Sequence, residues 1–475
     1  MKKTKIVATI GPATATEEKI KQLIKAGVDV FRFNFSHSDH ETHRRNLQIV
    51  RKVSNQLKKQ VAVLQDLSGP KIRIGEVKEP FDLHYGDIIK IVKEEVVGTK
   101  EKISINHPEI LDKLKKGDRI YIADGIIRLE VIGKDEEGVL AKVIVGGVVS
   151  SRKGINFPKV KLDISALTEK DIKDIEFGVK EGIDIIALSF VKNKEDVLKA
   201  KEIIKNFGGD QPLFAKIEKH EAVDNIDEII SVSDGIMVAR GDLGVEIDVE
   251  KVPIIQKMVI KKCNEQGIPV ITATQMLTSM LNSPRPTRAE VSDIANAVLD
   301  GTDAVMLSDE TAVGKYPVEA VEVMKRTIIE AEKIYPYYKE YQTKNDKTSS
   351  IAYSATKLSK NIGASAIAAF TRSGRTAKYV AKFRPESPIL AITHDLKTLR
   401  RLNIVWGIIP YMYIESEVDS EKLLCSFVKK AYEKDFSLED KIVALVGFIG
   451  GVTGSTSIIR LLDKIDVEYM IKKEC

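Results

Sequence analysis

The chain has 475 residues, of which 43% are hydrophobic and 30% charged, a composition typical of a folded protein with large cores. At roughly 100–200 residues per domain, this length predicts about two to four domains. The 74 basic and 69 acidic side chains leave a net charge of only +5. This charge gives no reason to expect nucleic-acid binding, although it is compatible with a local basic pocket for an anionic ligand.

The sequence predicts a cytoplasmic protein without a membrane span. Its N-terminal stretch turns polar after an apolar run that is too short for a signal peptide. The longest apolar stretch, residues 442–452, is far shorter than the ~20 residues that a membrane helix needs. The three cysteines form no CxxC pair, which argues against a structural zinc site and favours a reducing compartment.

Short β-branched runs alternate with longer amphipathic stretches along most of the chain. Strands that alternate with helices form parallel sheets, and eight such units favour a closed sheet over an open one. The pattern therefore predicts an α/β protein built on a (β/α)₈ barrel. The predicted barrel strands are residues 5–11, 28–36, 61–67, 183–190, 212–218, 234–242, 269–275 and 303–310.

Two regions depart from this barrel pattern. Residues 69–154 show alternating strands with turn glycines, which predicts a small β-barrel-like domain inserted over the barrel mouth, where it can act as a lid. After a polar linker, the strand and helix alternation resumes and predicts an open α/β domain over residues 343–475. The barrel itself is then expected to comprise residues 1–68 and 155–342.

Polar side chains accumulate where the predicted barrel strands end. A single strand-end side chain more often bonds loop backbone than takes part in chemistry. The whole set does not fit that explanation, because charged residues are rarely buried unpaired and barrel enzymes place their active sites at this rim. The residues are Arg32, Asn34, Ser36, Asp66, Lys216, Glu218, Arg240, Asp242, Thr274, Ser308 and Glu310.

The residue types at this rim fit a metal-bound anion. Glu218 and Asp242 end neighbouring strands, and two carboxylates suit a hard cation such as Mg²⁺ or Mn²⁺. The alternative is that each carboxylate forms an ion pair with a nearby basic side chain. Lys216 and Arg32 add positive charge to the same pocket, which favours a substrate carrying several negative charges, such as a phosphate plus a carboxylate. The backbone N–H groups of Gly241 and Asp242 open a short helix and could bind that carboxylate.

Several long segments resemble the pyruvate kinase family, nearly end to end and in the family's order. Among them are FRFNFSH, LQDLSGPKIR, FAKIEKHEAVDN, DGIMVARGDLGVEI, ATQMLTSM and TRSGRTA. The resemblance implies transfer of the phosphoryl group of phosphoenolpyruvate to ADP, giving pyruvate and ATP. It also implies Mg²⁺ or Mn²⁺ as the cofactor and a homotetrameric assembly.

The resemblance implies a role for each residue that matches a family motif. Lys216 would stabilise the charge on the transferring phosphoryl group and on the enolate, since a fixed ammonium aimed at developing charge is a large catalytic effect. Arg32 would bind the phosphate. Glu218 and Asp242 would hold the divalent metal.

The remaining substrate contacts also follow from the resemblance. The backbone of Gly241 and Asp242, together with the Thr274 hydroxyl, would bind the substrate carboxylate. Arg73 and Lys153 would reach the nucleotide phosphates. Because Lys153 lies at the end of the inserted domain, closure of that domain is expected to bring it in and to exclude water.

One departure from the family concerns a monovalent cation. In most members a K⁺ ion lies beside the phosphate, and its ligands would fall on Asn34, Ser36, Asp66 and the backbone of Leu67. The family motif DTKGPEIR is DLSGPKIR here, so that Lys71 replaces a glutamate. Because a glutamate calls for a cation and a lysine repels one, we expect the Lys71 ammonium to make activity independent of K⁺. The alternative is that Lys71 points to solvent.

The segment TRSGRTA, residues 371–377, has the composition of a phosphate-binding loop at a helix N-terminus. By resemblance, sugar-phosphate effectors bind here. We therefore predict a phosphorylated allosteric effector, and the alternative is an ordinary helix cap. The predicted contacts are Thr371, Ser373, Gly374, Arg375 and Thr376.

Two other functions are compatible with parts of this pattern. A lyase or aldolase could use the same metal carboxylates on a barrel, but it needs neither Arg73 nor an inserted domain that carries Lys153. A sensor that has lost catalysis would not need the intact Lys216. The sequence therefore favours the kinase.

Overall fold

The computed structural model describes residues 1–161, 164–343, 346–414, 420–447 and 456–472. Nearly all strand positions in its eight-stranded sheet are buried, which explains their largely apolar sequences. In chain order the strands are β1 (Lys5–Thr9), β2 (Val30–Asn34), β3 (Ala62–Asp66), β4 (Phe81–Leu83), β5 (Ile88–Val92), β6 (Lys102–Ser104), β7 (Arg119–Ile122), β8 (Ile127–Lys134), β9 (Gly138–Val145), β10 (Gly147–Val149), β11 (Ile155–Asn156), β12 (Ile185–Leu188), β13 (Leu213–Ile217), β14 (Gly235–Ala239), β15 (Val270–Ala273), β16 (Ala304–Leu307), β17 (Ala366–Phe370), β18 (Ile389–Thr393), β19 (Ile408–Tyr413), β20 (Ile442–Gly447) and β21 (Thr456–Leu462).

Helices follow most strands of the two α/β regions. They are α1 (Glu17–Ala26), α2 (His40–Gln56), α3 (Glu169–Lys180), α4 (Lys194–Asn206), α5 (His220–Asp224), α6 (Ile226–Val232), α7 (Arg240–Glu246), α8 (Val252–Gln266), α9 (Arg288–Asp300), α10 (Asp309–Ala312), α11 (Pro317–Glu332), α12 (Lys347–Ile362), α13 (Arg375–Lys382), α14 (Leu396–Arg401), α15 (Ser420–Lys434) and α16 (Lys464–Lys472). Short 3₁₀ helices cover Pro108–Lys113, Val249–Lys251, Thr278–Leu281 and Leu402–Ile404.

Local sequence explains where helices begin and end. Helix α9 begins at a capping box, in which the Thr287 hydroxyl accepts from the Glu290 backbone and the Glu290 carboxylate accepts from the Thr287 backbone. It ends at Gly301, whose φ of 98° is unfavourable for a residue with a side chain. Both signals are present in the sequence, and they orient the helix that leads into β16.

Eight parallel strands close into a barrel in the order β1-β2-β3-β12-β13-β14-β15-β16. This confirms the predicted barrel, and every predicted barrel strand is present. All eight strands end one to three residues earlier than predicted, and in two of them the last predicted residues belong to the following helix. Residues Arg240 to Asp242 begin α7, and residues Asp309 and Glu310 begin α10. The polar rim therefore lies mostly on the first helical turns and loops beyond the strands, where it faces the barrel mouth.

The inserted domain contains a six-stranded sheet in the order β11-β7-β8-β9-β5-β6 and a two-stranded sheet of β10 with β4. Its own apolar cluster includes Ile89, Ile120, Leu129 and Val143, all fully buried. An isolated antiparallel bridge pairs Arg73 with Gly154, where the chain enters and leaves the domain. The two chain crossings therefore lie side by side, which is the arrangement expected for a hinged lid.

The C-terminal region forms a five-stranded sheet in the order β19-β18-β17-β20-β21. The strand β21 departs from the predicted alternation of strands and helices, because it pairs antiparallel with β20 at the sheet edge. Alternating strands and helices predict parallel strands that are connected by helices. This pattern does not predict an antiparallel strand that directly follows its neighbour in the sheet.

The C-terminal domain packs against the N-terminal ends of the barrel strands. Arg384, which is 2% exposed, donates to Asp303 at 3.1 Å and to the Asn264 side chain at 2.6 Å. Arg400 Nε donates to Asp184 Oδ1 at 2.8 Å. These contacts fix the C-terminal domain to the side of the barrel opposite the polar rim.

The domain boundaries predicted at residues 69, 155 and 343 stay predictions. No helix within the described parts of the chain is both long and apolar enough to cross a bilayer.

Candidate active site

A row of alternating charges crosses the mouth of the barrel. Arg32 Nε donates to Asp66 Oδ2 at 2.6 Å, and Asp66 Oδ1 lies 3.1 Å from Lys216 Nζ. The same ammonium lies 2.7 Å from Glu218 Oε1. The side chains of Asp66 and Glu218 are 1% and 2% exposed. Because an unpaired buried charge is costly, each member of this row depends on its neighbours.

The neighbours in this row fix the charge state of Lys216. Burial alone would lower the pKa of Lys216, but the carboxylates of Asp66 and Glu218 outweigh burial and raise it. Burial would likewise raise the pKa of Asp66, and the ammonium of Lys216 together with the guanidinium of Arg32 holds it below its usual value. The ammonium therefore stays charged across the physiological pH range, at the centre of the barrel mouth.

Asp242 has a different environment, because its carboxylate forms no hydrogen bond or ion pair with any residue that the structure describes. It lies in the first turn of α7. Its side chain is accessible where it lines the barrel mouth, but the surrounding protein reduces its hydration. This reduced hydration and the nearby carboxylate of Glu218 raise the pKa of Asp242 to about 6. An unpaired carboxylate beside a second carboxylate is an arrangement that a divalent cation would stabilise.

Thr274 is held in a strained backbone conformation. Its φ is 69° and that of Gln275 is 56°. Positive φ values are unfavourable for residues other than glycine, and most of all for a β-branched residue such as Thr274. Arg240 holds this turn, since its Nη2 donates to the Thr274 carbonyl at 2.7 Å while its Nη1 pairs with Asp293 at 2.8 Å. The Thr274 hydroxyl accepts the Gly241 N–H at 2.8 Å. Arg240 therefore supports the turn from behind and is not in the row of charges.

Glu310 also supports the loops of the barrel mouth. Its two carboxylate oxygens accept the backbone N–H groups of Leu277 at 3.0 Å and of Ser308 at 2.8 Å. The Ser308 hydroxyl is buried and has no hydrogen-bond partner among the described residues. Of these two rim residues, only Ser308 therefore has a free polar group.

A cavity of about 630 Å³ lies between the inserted domain and the barrel. Lys71, Arg73, Lys153 and Asp242 all line it, so the predicted nucleotide contacts lie beside the barrel mouth. Arg73 Nη1 donates to the Arg152 carbonyl at 2.8 Å. More basic than acidic side chains line the cavity, which suits an anionic ligand.

Lys71 belongs to this cavity. Burial, followed by the positive charges of Lys216 and Arg73, lowers the pKa of Lys71, while Asp242 and Glu218 oppose this effect. The side chain is half-buried. The alternative in which Lys71 points to solvent does not match these surroundings.

Comparison with known proteins identifies the family. The family model for the pyruvate kinase barrel domain matches residues 1–321, and the model for the pyruvate kinase alpha/beta domain matches residues 349–462. The chain belongs to the pyruvate kinase family.

The curated relatives and the solved structures agree with this assignment. Pyruvate kinase 2 of Synechocystis and the pyruvate kinase of Staphylococcus aureus are each 44% identical over 470 residues, which cover 97% of this chain and 79% and 80% of those proteins. The crystal structure of a pyruvate kinase from Cryptosporidium parvum has a TM-score of 0.92 and 36% identity, covering 97% of this chain and 96% of that one.

A pyruvate kinase transfers the phosphoryl group of phosphoenolpyruvate to ADP, and the family generally uses a divalent metal. The chain is accordingly a phosphotransferase of glycolysis. Family membership favours this function over the lyase and over the sensor without catalysis.

Ser189 and Phe190 are residues of this pyruvate kinase that the sequence interpretation missed. Lys216 Nζ donates to the Ser189 hydroxyl at 2.8 Å, and that hydroxyl donates to the Leu67 carbonyl at 2.7 Å. The Phe190 N–H donates to Glu218 Oε2 at 2.9 Å. Both residues follow β12, which with β1 is one of the two barrel strands that contribute no residue to the predicted rim. Their position could have indicated them, but neither carries a charge.

The four residues that the family resemblance assigns to a K⁺ site lie at the barrel mouth, and three of them have partners within the protein. Both carboxylate oxygens of Asp66 face cations of the charged row. The Leu67 carbonyl accepts from a serine hydroxyl. The side-chain oxygen of Asn34 accepts the Ser36 N–H at 3.1 Å. A K⁺ ion would have to displace several of these contacts.

The predicted effector loop lies before α13. Gly374 caps this helix with a φ of 83°, and the Thr376 hydroxyl lies 2.6 Å from that of Thr456. Arg375 Nη2 is 3.8 Å from Asp346. Of the five predicted contacts, Thr371, Gly374 and Thr376 are buried, while Ser373 and Arg375 are exposed.

Proposed function

We propose that this pyruvate kinase carries out phosphoryl transfer at the row of charges in the barrel mouth, with Mg²⁺ held by Glu218 and Asp242. The observation that carries this proposal is the fixed ammonium of Lys216, 2.7 Å from Glu218 and within the electrostatic influence of the unpaired Asp242. Mn²⁺, which also prefers oxygen ligands, is expected to substitute for Mg²⁺.

Lys216 stabilises the negative charge that develops during the reaction. As the phosphorus–oxygen bond of phosphoenolpyruvate breaks, charge accumulates on the phosphoryl oxygens and on the enolate oxygen. A buried ammonium already fixed by Asp66 and Glu218 needs little reorganisation to interact with this charge, so its stabilisation is greater in the transition state than in the ground state.

The rest of phosphoenolpyruvate is held by neighbouring groups. Arg32 binds its phosphate through the guanidinium N–H groups that Asp66 and the Thr9 hydroxyl leave free. The backbone N–H groups of Gly241 and Asp242 and the Thr274 hydroxyl bind its carboxylate. In the structure the Gly241 N–H donates a hydrogen bond to the Thr274 hydroxyl at 2.8 Å. In this proposal the substrate carboxylate displaces that hydrogen bond.

Arg73 and Lys153 bind the phosphates of ADP. The proposal is supported by their shared position in the cavity under the inserted domain. Because the two chain crossings to this domain are bridged at Arg73 and Gly154, a small rotation about them moves Lys153 relative to the barrel. Closure in this way excludes water from the transferring phosphoryl group.

The protein supplies two carboxylate ligands for the metal. No group of three or more potential ligands is found within the described portion of the chain. Mg²⁺ is commonly bound by one or two carboxylates and completes its coordination with water and substrate phosphate. When bound, it neutralises the charge of the substrate oxygens. Glu218 and the unpaired Asp242 fit this role.

Replacing Asp242 with asparagine is expected to weaken Mn²⁺ binding about tenfold or more, since it removes one of two charged ligands. Electron paramagnetic resonance of free Mn²⁺ measures the dissociation constant directly, without turnover. Asp248→Asn is the matched control, because Asp248 is an exposed carboxylate of the same segment that pairs with Lys251. Equal Mn²⁺ affinity in Asp242→Asn and the wild type would contradict the proposed metal site.

We infer that activity does not depend on K⁺, because the Lys71 ammonium supplies positive charge beside the phosphate site. The proposal is supported by the half-buried position of Lys71 and by the internal partners of Asp66, Leu67 and Asn34.

A phosphorylated allosteric effector is proposed to bind at the loop of residues 371–376. The exposed Ser373 and Arg375 and the left-handed Gly374 support a site for an anion. We expect at least one phosphorylated compound to change the phosphoenolpyruvate concentration that gives half-maximal rate. Unchanged kinetics across a panel of sugar phosphates and nucleotides would contradict this expectation.

A homotetramer is proposed from the family resemblance. Exposed apolar side chains on the C-terminal domain, including Ile465 and Tyr469 at 78% and 62% exposed, support contact with a second copy. A solution mass equal to that of one chain, measured by light scattering, would contradict this assembly. Cytoplasmic location stays a prediction.

A further inference from the structure

Arg32, the proposed phosphate contact of phosphoenolpyruvate, has two partners within the protein. Its Nε donates to Asp66 Oδ2 at 2.6 Å, and its Nη1 donates to the Thr9 hydroxyl at 3.1 Å. A guanidinium carries five N–H groups. Among the residues that the structure describes, these two bonds leave the other N–H groups for the substrate, and their direction depends on how the guanidinium is held.

The bond to Asp66 does not fix the orientation of the guanidinium by itself. Asp66 binds Arg32 through one oxygen, since its other oxygen lies 3.1 Å from Lys216 Nζ. Two parallel bonds to both oxygens of a carboxylate fix the plane of a guanidinium, whereas a single bond lets it turn. A second contact on a different nitrogen is therefore needed to hold the remaining N–H groups in one direction.

Thr9 supplies this second contact. It is the last residue of β1, and it pairs in register with Arg32 of β2. Its hydroxyl donates to the Leu307 carbonyl of β16 at 2.9 Å. A hydroxyl has a single hydrogen, and because this hydrogen is used by Leu307, the oxygen presents its lone pairs to Arg32. The guanidinium can only donate, so the three groups form one directed chain of hydrogen bonds.

The surroundings hold the Thr9 hydroxyl in place. Thr9 is 3% exposed, so that water does not readily replace this buried group. The Thr9 carbonyl accepts the Thr311 hydroxyl at 2.8 Å, and the Arg32 carbonyl accepts the Ile10 N–H at 3.0 Å. The β-branched side chain of threonine is also restricted at χ1. The hydroxyl is therefore a fixed acceptor for Arg32.

We propose that Thr9 is a positioning residue for phosphoryl transfer, which holds the Arg32 guanidinium in the orientation that binds the phosphate of phosphoenolpyruvate. The inference rests on the proposed function of Arg32 and deepens it. Thr9 does not contact the substrate and acts through Arg32 alone. This assignment gives a role to β1, which contributes no residue to the predicted rim.

The orientation of Arg32 matters for a ligand that carries a phosphate. A guanidinium already held in the binding direction loses little freedom when the phosphate binds, whereas a mobile one has to be ordered first, which weakens binding. Pyruvate has the carboxylate of the substrate but no phosphate. Loss of the Thr9 hydroxyl should therefore weaken the binding of phosphoenolpyruvate and leave the binding of pyruvate unchanged.

The test removes the hydroxyl in the full-length enzyme by Thr9→Val, which nearly keeps the shape of the side chain. The dissociation constant of phosphoenolpyruvate is measured by calorimetry with Mg²⁺ and without ADP, and the inhibition constant of pyruvate is measured by competition. We expect Thr9→Val to weaken phosphoenolpyruvate binding about tenfold, because a hydrogen bond to a charged group is lost, and to leave the pyruvate constant unchanged. Thr9→Ser keeps the hydroxyl and should bind phosphoenolpyruvate as the wild type does.

Thr302→Val is the matched control for a buried threonine. Thr302 is 0% exposed, and its hydroxyl accepts from the Thr272 hydroxyl at 2.9 Å and donates to the Val270 carbonyl at 3.1 Å. It has the same kinds of partners as Thr9 but precedes β16, at the opposite end of the barrel. We expect comparable losses in the free energy of unfolding and a change in phosphoenolpyruvate affinity in Thr9→Val alone.

A double-mutant cycle with Arg32→Met separates a positioning role from a general structural one. If Thr9 acts through Arg32, adding Thr9→Val to Arg32→Met causes no further loss of phosphoenolpyruvate affinity. A loss by the same factor in both backgrounds would show a structural defect and would overturn the proposal.

The outcomes also distinguish this proposal from the role of Arg32 itself. If Thr9→Val binds phosphoenolpyruvate as the wild type does while Arg32→Met does not, Arg32 keeps its role and the positioning role of Thr9 is refuted. If Arg32→Met also binds normally, the phosphate assignment of Arg32 fails and the proposal fails with it. Should Thr9→Val not fold, Thr9→Ala, which is smaller and also lacks the hydroxyl, gives the same comparison with Thr9→Ser.

Discussion

Replacing Lys216 with methionine is expected to lower kcat for pyruvate formation by about a thousandfold or more. Removing a single neutral donor to a developing oxyanion costs roughly 10²–10³ in kcat, and this residue is a fixed, buried charge. Methionine keeps the length of the side chain but cannot stabilise the enolate or the phosphoryl oxygens. Rates are measured by coupling pyruvate to its reduction, with ADP and Mg²⁺ present or omitted.

The same substitution also removes a partner from Asp66 and Glu218, so stability must be separated from catalysis. Breaking one side of a buried ion pair costs about 3–5 kcal/mol. Lys2→Met is a suitable control, because Lys2 is a buried ammonium paired with Asp29 at the opposite end of the barrel. We expect comparable losses in the free energy of unfolding and a large loss of turnover in Lys216→Met alone. Near-normal turnover in that variant would remove Lys216 from the mechanism.

Replacing Lys71 with glutamate is expected to make the enzyme dependent on K⁺. The wild type should turn over equally fast in KCl and in tetramethylammonium chloride. The variant should lose about tenfold or more in rate without K⁺. A unit charge 4–8 Å away at an effective dielectric constant near 20 contributes about 2–4 kcal/mol, and the substitution replaces a positive charge with a negative one. Added K⁺ should restore part of the rate.

Lys78→Glu is the control for this experiment. It makes the same charge change at an exposed position of the inserted domain, and its rate should be independent of K⁺. Full dependence of the wild type on K⁺ would refute the role of Lys71, and Asn34, Ser36 and Asp66 would then return to their roles as ligands.

The barrel could be predicted because its strands have a strong and simple requirement. A strand covered on both faces must be apolar almost throughout, and segments such as β13 and β14 are buried at every position. Polar residues are then concentrated towards the strand ends, which is why Lys216, Glu218 and Asp242 could be selected from the sequence. The edge strand β21 lacks this signal, since only its two end residues are buried.

The sequence did not indicate which rim residues face the substrate site and which support the surrounding loops. Arg240 and Glu310 have the charges of active-site residues, yet both bind the backbone of neighbouring loops. The left-handed backbone of Thr274 has no signal in the sequence, because it is imposed by contacts from residues distant along the chain. Which side of the loop each effector residue faces likewise depends on how the C-terminal domain packs on the barrel.

The buried Arg384 has a consequence for how this protein can be divided. Its guanidinium belongs to the C-terminal domain but neutralises Asp303 of the barrel, and both side chains are less than 5% exposed. A barrel produced without the C-terminal domain would keep an orphaned carboxylate at the start of β16, and the excised domain would keep an orphaned guanidinium. This pair therefore couples the stabilities of the two modules, and a recombination that exchanged one of them would have to carry both of its members.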